Sequence, residues 1–136
     1  MKKKVLFLCT ANSCRSQMAE GIVNHFLADW IEAFSAGTEA SHVNPKAIAV
    51  LREIGIDISS NRSKNIDEFA GQEFDYVITL CGDARDKCPI FQGGGKRVHI
   101  GFEDPGIATG TEEEVMEVFR RVRDQIKEQL VAYFKE

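Results

Sequence analysis

Lys4-Val5-Leu6-Phe7-Leu8 runs into Cys9-Thr10-Ala11-Asn12-Ser13-Cys14-Arg15-Ser16, and this junction decides the architecture. The first five residues form a short apolar run suited to a strand buried on both faces. From about Ser16, residues Met18, Ile22 and Phe26 recur at i, i+4 and i+8, one apolar side of a helix. A strand that enters a helix through a small polar loop is the building unit of a parallel α/β sheet.

The same alternation continues along the chain. Glu32–Ser35 reads as a weaker strand closed by Gly37. Asn44-Pro45 places a capping side chain before a proline at the first helical position. Ala47, Val50, Leu51 and Ile54 give that helix its apolar face, and Gly55 ends it. Phe74–Leu80 is a clear strand and Arg97–Gly101 a shorter one. Thr111-x-x-Glu114 is a capping box ahead of Val115, Val118, Phe119, Val122, Ile126, Leu130 and Tyr133. The expected fold is α/β in three layers, a four-stranded parallel sheet flanked by helices, built from residues 1–136 as one domain.

Composition bounds the function. The 136 residues carry a net charge of −4, which gives no reason to expect nucleic acid or an anionic membrane as partner. The apolar run after Lys2-Lys3-Lys4 stops at Cys9, too short for a secretory signal, and no segment approaches the ~20 apolar residues needed to span a bilayer. A cytoplasmic monomer is expected. In that reducing compartment four cysteines are reactive or metal-binding rather than a disulfide framework.

Parallel topology predicts where the chemistry lies. Ligands of such sheets sit beyond the carboxyl ends of the strands. Cys9, Cys81 and Asp104 each follow a predicted strand, so all three are expected at one edge. Backbone N–H groups of Thr10, Ala11, Asn12, Ser13 and Cys14 can wrap an oxyanion, with the dipole of the following helix adding positive potential. Arg15 can hold two oxygens with its planar fork. The same potential should favour the Cys9 thiolate, with Ser16 hydrogen-bonded to it. A bare Cys-x5-Arg is a weak signal, and the strand before and helix after are what strengthen it.

Cys9-x5-Arg15-Ser16 resembles the phosphate-binding loop of the low-molecular-weight tyrosine phosphatase fold. That resemblance implies a Cys9 nucleophile, an Arg15 clamp and, through Asp104-Pro105, an Asp104 general acid. Asp-Pro alone is more often a plain turn. The second cysteine pair, Cys81 and Cys88, separates reductase from phosphatase, because two further thiols supply two electrons that hydrolysis does not need. Cys9–Gly21, Thr79-Leu80-Cys81-Gly82-Asp83 and Gly101-Phe102-Glu103-Asp104-Pro105 closely resemble thioredoxin-coupled arsenate reductases, and the likeness runs over most of the chain.

The resemblance implies attack of Cys9 on arsenate, then of Cys81 on Cys9, then of Cys88 on Cys81, with thioredoxin as external reductant and no bound cofactor. Phosphate and sulfate are the expected competing oxyanions. A helical Asp83–Cys88 would hold Cys81 and Cys88 too far apart for a disulfide, so residues 82–96, loosened by Pro89 and Gly93-Gly94-Gly95, are expected to rearrange. A phosphatase acting through phosphocysteine and a non-catalytic oxyanion or redox-sensing module are the alternatives. Zinc is disfavoured, since Cys81-x6-Cys88 exceeds the usual ligand spacing and Arg15 would repel a cation. Cys14 is assigned to loop packing, and His25, His42 and His99 to surface or half-buried positions without a chemical role.

Departures from the reductase pattern carry their own expectations. Ala11 stands where glycine is common, which would cost about 1 kcal/mol in a left-handed conformation. Ile100 replaces a common tryptophan and would reshape the pocket wall. Lys64 stands where some relatives place a potassium-binding carboxylate beside residues matching Asn12, Glu20 and Ser35, so its ammonium is expected to replace the ion.

Overall fold

The computed structural model describes residues 2–82, 91 and 93–135. Its elements are β1 (Lys3–Cys9), α1 (Arg15–Phe26), β2 (Ile31–Gly37), α2 (Pro45–Arg52), β3 (Phe74–Cys81), β4 (Gly94–Phe102) and α3 (Glu112–Lys135). Short 3-10 turns occupy Ile66–Phe69 and Pro105–Ile107. The strands form one sheet in the order β2-β1-β3-β4, and every pairing is parallel. This is the expected four-stranded α/β sheet.

β1 is central because Val5 to Leu8 are apolar without interruption, which suits burial on both faces. Val5 and Phe7 face a large cluster with α1, α2 and α3, including Met18, Ile22, Leu51, Phe119, Val122 and Ile126. Leu6 and Leu8 face a smaller one with Ala36, Phe69, Phe74, Val77 and Phe91. All three described α-helices thus share one cluster. Among the described residues, the turn at 66–69 and Phe91 cover the other face.

The capping box at the start of α3 is present in both directions: Glu114 N donates to Thr111 Oγ1 (3.1 Å) and Thr111 N to Glu114 Oε1 (3.0 Å). On the same helix Arg123 donates to the Val50 carbonyl (2.9 Å) and to Glu53 (2.8 Å). The end of α2 is therefore tied to the middle of α3 by charge-assisted bonds.

β4 begins three residues before the expected Arg97. Its opening glycines are strand because they let backbone lie close to β3: a Cβ on Gly94 would press into the Val77 side chain. Gly94, Gly95 and Lys96 are therefore sheet rather than loosened loop. Residues 83–90 and 92, which hold Cys88, the stretch Asp83–Cys88 and most of the proposed switch, lie outside the described residues. β2 also outruns its expected span at both ends. Ile100 packs against the large core cluster and is not a pocket wall, because its place in β4 turns it toward the helices.

Phe119 is 1% exposed at the centre of the helical cluster. Phe119→Ala should lower unfolding free energy by about 3–5 kcal/mol, read as a lower urea midpoint at unchanged slope.

Candidate active site

The loop between β1 and α1 is held from outside by its carbonyls. Thr10 O accepts from Glu39 N (2.9 Å), Ala11 O from Ser63 Oγ (3.0 Å) and Ser13 O from Asn44 N (3.1 Å). In a planar trans peptide the next N–H points opposite to the carbonyl. The amides of Ala11, Asn12 and Cys14 are thereby turned toward the loop's interior. Beneath the loop lies Gly37, whose missing side chain admits the Thr10 carbonyl, the Cys9 carbonyl and the Asn12 amide. α1 starts without a side-chain cap at Cys14, which leaves its first amides to the loop.

Left-handed backbone falls on Asn12 (φ 49°), not on Ala11. Asparagine tolerates that region better than alanine, so Ala11 carries no strain. The Asn12 amide is fully buried. Its Oδ1 accepts from Lys64 N and Gln17 Nε2, both at 2.8 Å, which fixes Nδ2 toward Ser16 Oγ at 2.7 Å. Ser16 therefore accepts from Asn12, and its own proton can be given to Cys9 Sγ, 2.8 Å away. A donor held this way stabilises negative charge on the sulfur.

Arg15 is buried at the helix start. Its Nη1 donates to the Phe102 carbonyl (3.3 Å) and its Nη2 lies 3.7 Å from Asp104 Oδ2. Asp104 also accepts from Gly106 N (2.8 Å), capping the 3-10 turn after β4. Asp-Pro is thus a turn and a pocket group at once. Cys9, Arg15 and Asp104 line a cavity of about 240 Å³, with Ala11, Ser13, Cys14, Ser41, His42, Asn44, Gly106 and Ile107 completing its walls. That is below the size of pockets for drug-sized ligands. A small tetrahedral anion matches it.

Cys14 points to the wall shared with Gly106. Burial above all, then the negative charge of Asp104, pushes its thiol up to about 12. It stays neutral and unreactive at physiological pH.

Cys81 ends β3 at the same sheet edge as Cys9. β1 and β3 are neighbours with Leu8 opposite Thr79, so Cys9 lies beside Leu80 and Cys81 one residue further on. Strand spacing and rise put their Cα atoms roughly 6 Å apart, within the range a disulfide spans. The pleat, however, sends the two side chains to opposite faces. Cys9 faces α1 and Cys81 faces away.

Asn12, Glu20, Ser35 and Lys64 do gather behind the loop. Lys64 Nζ lies 3.8 Å from Glu20 Oε1, which also accepts from Ser35 Oγ (2.8 Å), while Asn61 Nδ2 donates to Glu20 Oε2 (3.1 Å). Burial pushes the Glu20 carboxyl up, and Lys64 with these hydrogen bonds opposes it. An ammonium here supplies the positive charge a cation would bring. No cluster of three or more metal-ligating side chains occurs among the described residues. Among the described residues, no helix is long and apolar enough to cross a membrane.

The sequence offered no signal for the Phe102 carbonyl as an Arg15 acceptor or the Lys64 amide as the orienter of Asn12, since backbone partners leave no mark in residue type. Gly37 was visible only as a strand end.

Residues 4–136 match the family model of low molecular weight phosphotyrosine protein phosphatase. The chain belongs to that family. Within it the similar relatives are arsenate reductases. That of Halalkalibacterium halodurans is 52% identical over 132 residues, covering 97% of this chain and 95% of the relative. The Bacillus subtilis arsenate reductase is 51% identical over 131 residues, covering 96% and 94%. A solved arsenate reductase in its phosphate-binding state superposes with a TM-score of 0.81 at 41% identity, covering 98% of this chain and 96% of the other.

Gly37→Ala should abolish phosphate binding by calorimetry, because the added methyl meets backbone on which the loop rests. For Cys14 the folded thiol is raised above its ordinary 9.0, so its contribution to stability is complete below pH 9 and drains away as pH climbs toward 12. Urea titrations should show an alkaline loss that Cys14→Ala reduces. Iodoacetamide at pH 8 should leave Cys14 unlabelled.

Proposed function

We propose that this chain reduces arsenate to arsenite through a relay of Cys9, Cys81 and Cys88, the final disulfide being reduced by thioredoxin. The observation that carries the reading is the placement of Cys9 and Cys81 at the ends of adjacent parallel strands, beside an anion-sized pocket. The arsenate reductases at about half identity support the same reaction.

Arsenate enters with its oxygens on the amides of the loop Thr10 to Cys14 and on the Arg15 fork. The Cys9 thiolate, held by Ser16, attacks arsenic, and Asp104 protonates the hydroxide that departs as water. Cys81 then attacks Cys9 Sγ. The S–S bond forms, the S–As bond breaks, and its electron pair stays on arsenic, which leaves as arsenite. Cys88 attacks Cys81, frees Cys9 as a thiol, and leaves a Cys81–Cys88 disulfide. Thioredoxin supplies the two electrons that restore both thiols.

Because Cys81 starts on the opposite face from Cys9, the second step requires the end of β3 to turn. Phosphate and sulfate compete for the same pocket. The enzyme works as a cytoplasmic, single-domain monomer of residues 1–136 with no bound cofactor. A phosphotyrosine phosphatase role is less well supported, since Gly106 and Ile107 follow Asp104-Pro105 where an aromatic wall would hold a phenyl ring.

Arsenate-dependent NADPH oxidation with thioredoxin and its reductase tests this. Cys9→Ser, Cys81→Ser and Cys88→Ser should each lose multiple turnover. Cys88→Ser should still release one arsenite per chain by trapping a Cys9–Cys81 disulfide. A Cys88→Ser protein that cycles at the wild-type rate would remove the relay.

A further inference from the structure

His99 is an exposed imidazole in β4 whose ring is held rather than free. Its Nδ1 lies 2.8 Å from Thr79 Oγ1, and the two residues stand opposite each other in the β3–β4 pairing. Residues i and i+2 of a strand project from one face, so Val77, Thr79 and Cys81 share a face of β3. It is the face of the smaller cluster that contains Val77, while Ile78 and Leu80 turn to the helices. His99 joins that face through its bond to Thr79. The thiol that must ionise for the second step therefore projects on the side where His99 stands.

The local irregularity of the sheet brings them closer. Two steps along β3, from Thr79 to Cys81, match three along β4, from His99 to Phe102, so β4 carries the extra residue. Gly101 within that bulge has no side chain. The point a Cβ would take there lies 3.2 Å from His99 Nε2, 2.9 Å from the Cys81 carbonyl and 3.5 Å from Gly82 Cα. The imidazole thus lies over Gly101 with Nε2 directed to the strand end that bears Cys81. Any larger residue at 101 would stand between them.

From this geometry we infer that His99 accepts the proton of Cys81 before the end of β3 turns that sulfur toward Cys9. The inference rests on the relay proposed above. The Thr79 hydroxyl can accept from Nδ1–H, and in that tautomer the Nε2 lone pair is available to the thiol. The Cys81 proton passes to Nε2, the resulting thiolate forms the S–S bond, and the S–As electron pair leaves with arsenite. The imidazolium then returns its proton to water, which the ring's exposure allows. Cys81 is only 7% exposed and so depends on an acceptor inside the protein rather than on bulk solvent. Among the described residues, the charged groups on this face are Lys4 of β1, whose ammonium lies over the Phe74 ring (5.0 Å), Glu32 of β2, Asp75 of β3, which accepts from Lys4 N (2.8 Å), and Arg97 of β4. Leu6 and Leu8 are the β1 side chains nearer the carboxyl end of the strand. None of these replaces a base at the strand end.

The test follows the single arsenite released by Cys88→Ser protein under rapid mixing. Adding His99→Ala should slow that burst roughly a hundred-fold, the ordinary worth of a positioned proton acceptor, with phosphate affinity unchanged. Free imidazole, or a rise in pH toward 9.5, should restore much of the rate. His99→Gln, which keeps a hydrogen bond to Thr79 but accepts no proton, should be as slow as His99→Ala. A wild-type burst in His99→Ala, or a slow burst that neither imidazole nor alkaline pH restores, would overturn the assignment. If Cys88→Ser with His99 intact releases no arsenite, the relay itself fails, and the two failures are told apart.

Discussion

Asn12 adopts left-handed backbone with its amide sealed from water, and that amide is bonded both to the start of α1 and to the backbone of the distant Lys64. The Lys64 backbone and the Gln17 side chain take its oxygen, and Ser16 takes its nitrogen. A buried amide left unmatched would cost about 1–3 kcal/mol, so these partners act together. Through them the conformation of the loop, the direction of the Ser16 proton and the state of the Cys9 sulfur become one arrangement. Protein groups alone fix the shape of the loop, which is the condition for binding a small charged ligand without a large ordering cost.

The rest of the site is supplied by the sheet. β1, β3 and β4 are parallel neighbours, so their carboxyl ends bring Cys9, Cys81 and Phe102 with Asp104 to one edge although they are far apart in sequence. Arg15 joins the first of these groups to the last through the Phe102 carbonyl and Asp104. The glycines of this edge mark where backbone crosses backbone: Gly37 beneath the loop, Gly101 in the bulge. Each is a place where a side chain would occupy space the site needs.

Much of this was legible in the chain itself. The apolar run Val5–Leu8, the Met18, Ile22, Phe26 stripe, the Asn44-Pro45 cap and the Thr111–Glu114 capping box were readable because each depends on neighbours within a turn or a strand. β4 was read too short because its first residues are glycines, which have no side-chain pattern and are strand only by lying on Val77. The sequence could state only what a left-handed Ala11 would cost; the structure gives Ala11 ordinary backbone and puts the left-handed residue at Asn12, whose amide is held by the distant Lys64 backbone. Ile100 was expected at the pocket wall; it turns to the core with Val98, because which face of β4 meets the helices is set by the packing of the sheet and not by residue type.

Sequence alone therefore determined which segments are strands and helices, and that a thiol, a guanidinium and a hydroxyl share one anion-sized loop. Those are matters of local periodicity and of residues a few positions apart. Tertiary structure decided which strands are neighbours, that Cys9 and Cys81 end side by side yet face opposite ways, and that Thr79 holds His99 over Gly101. Strand order and register follow from burying both faces of a shared sheet, a balance summed over the whole chain that no short stretch of it contains.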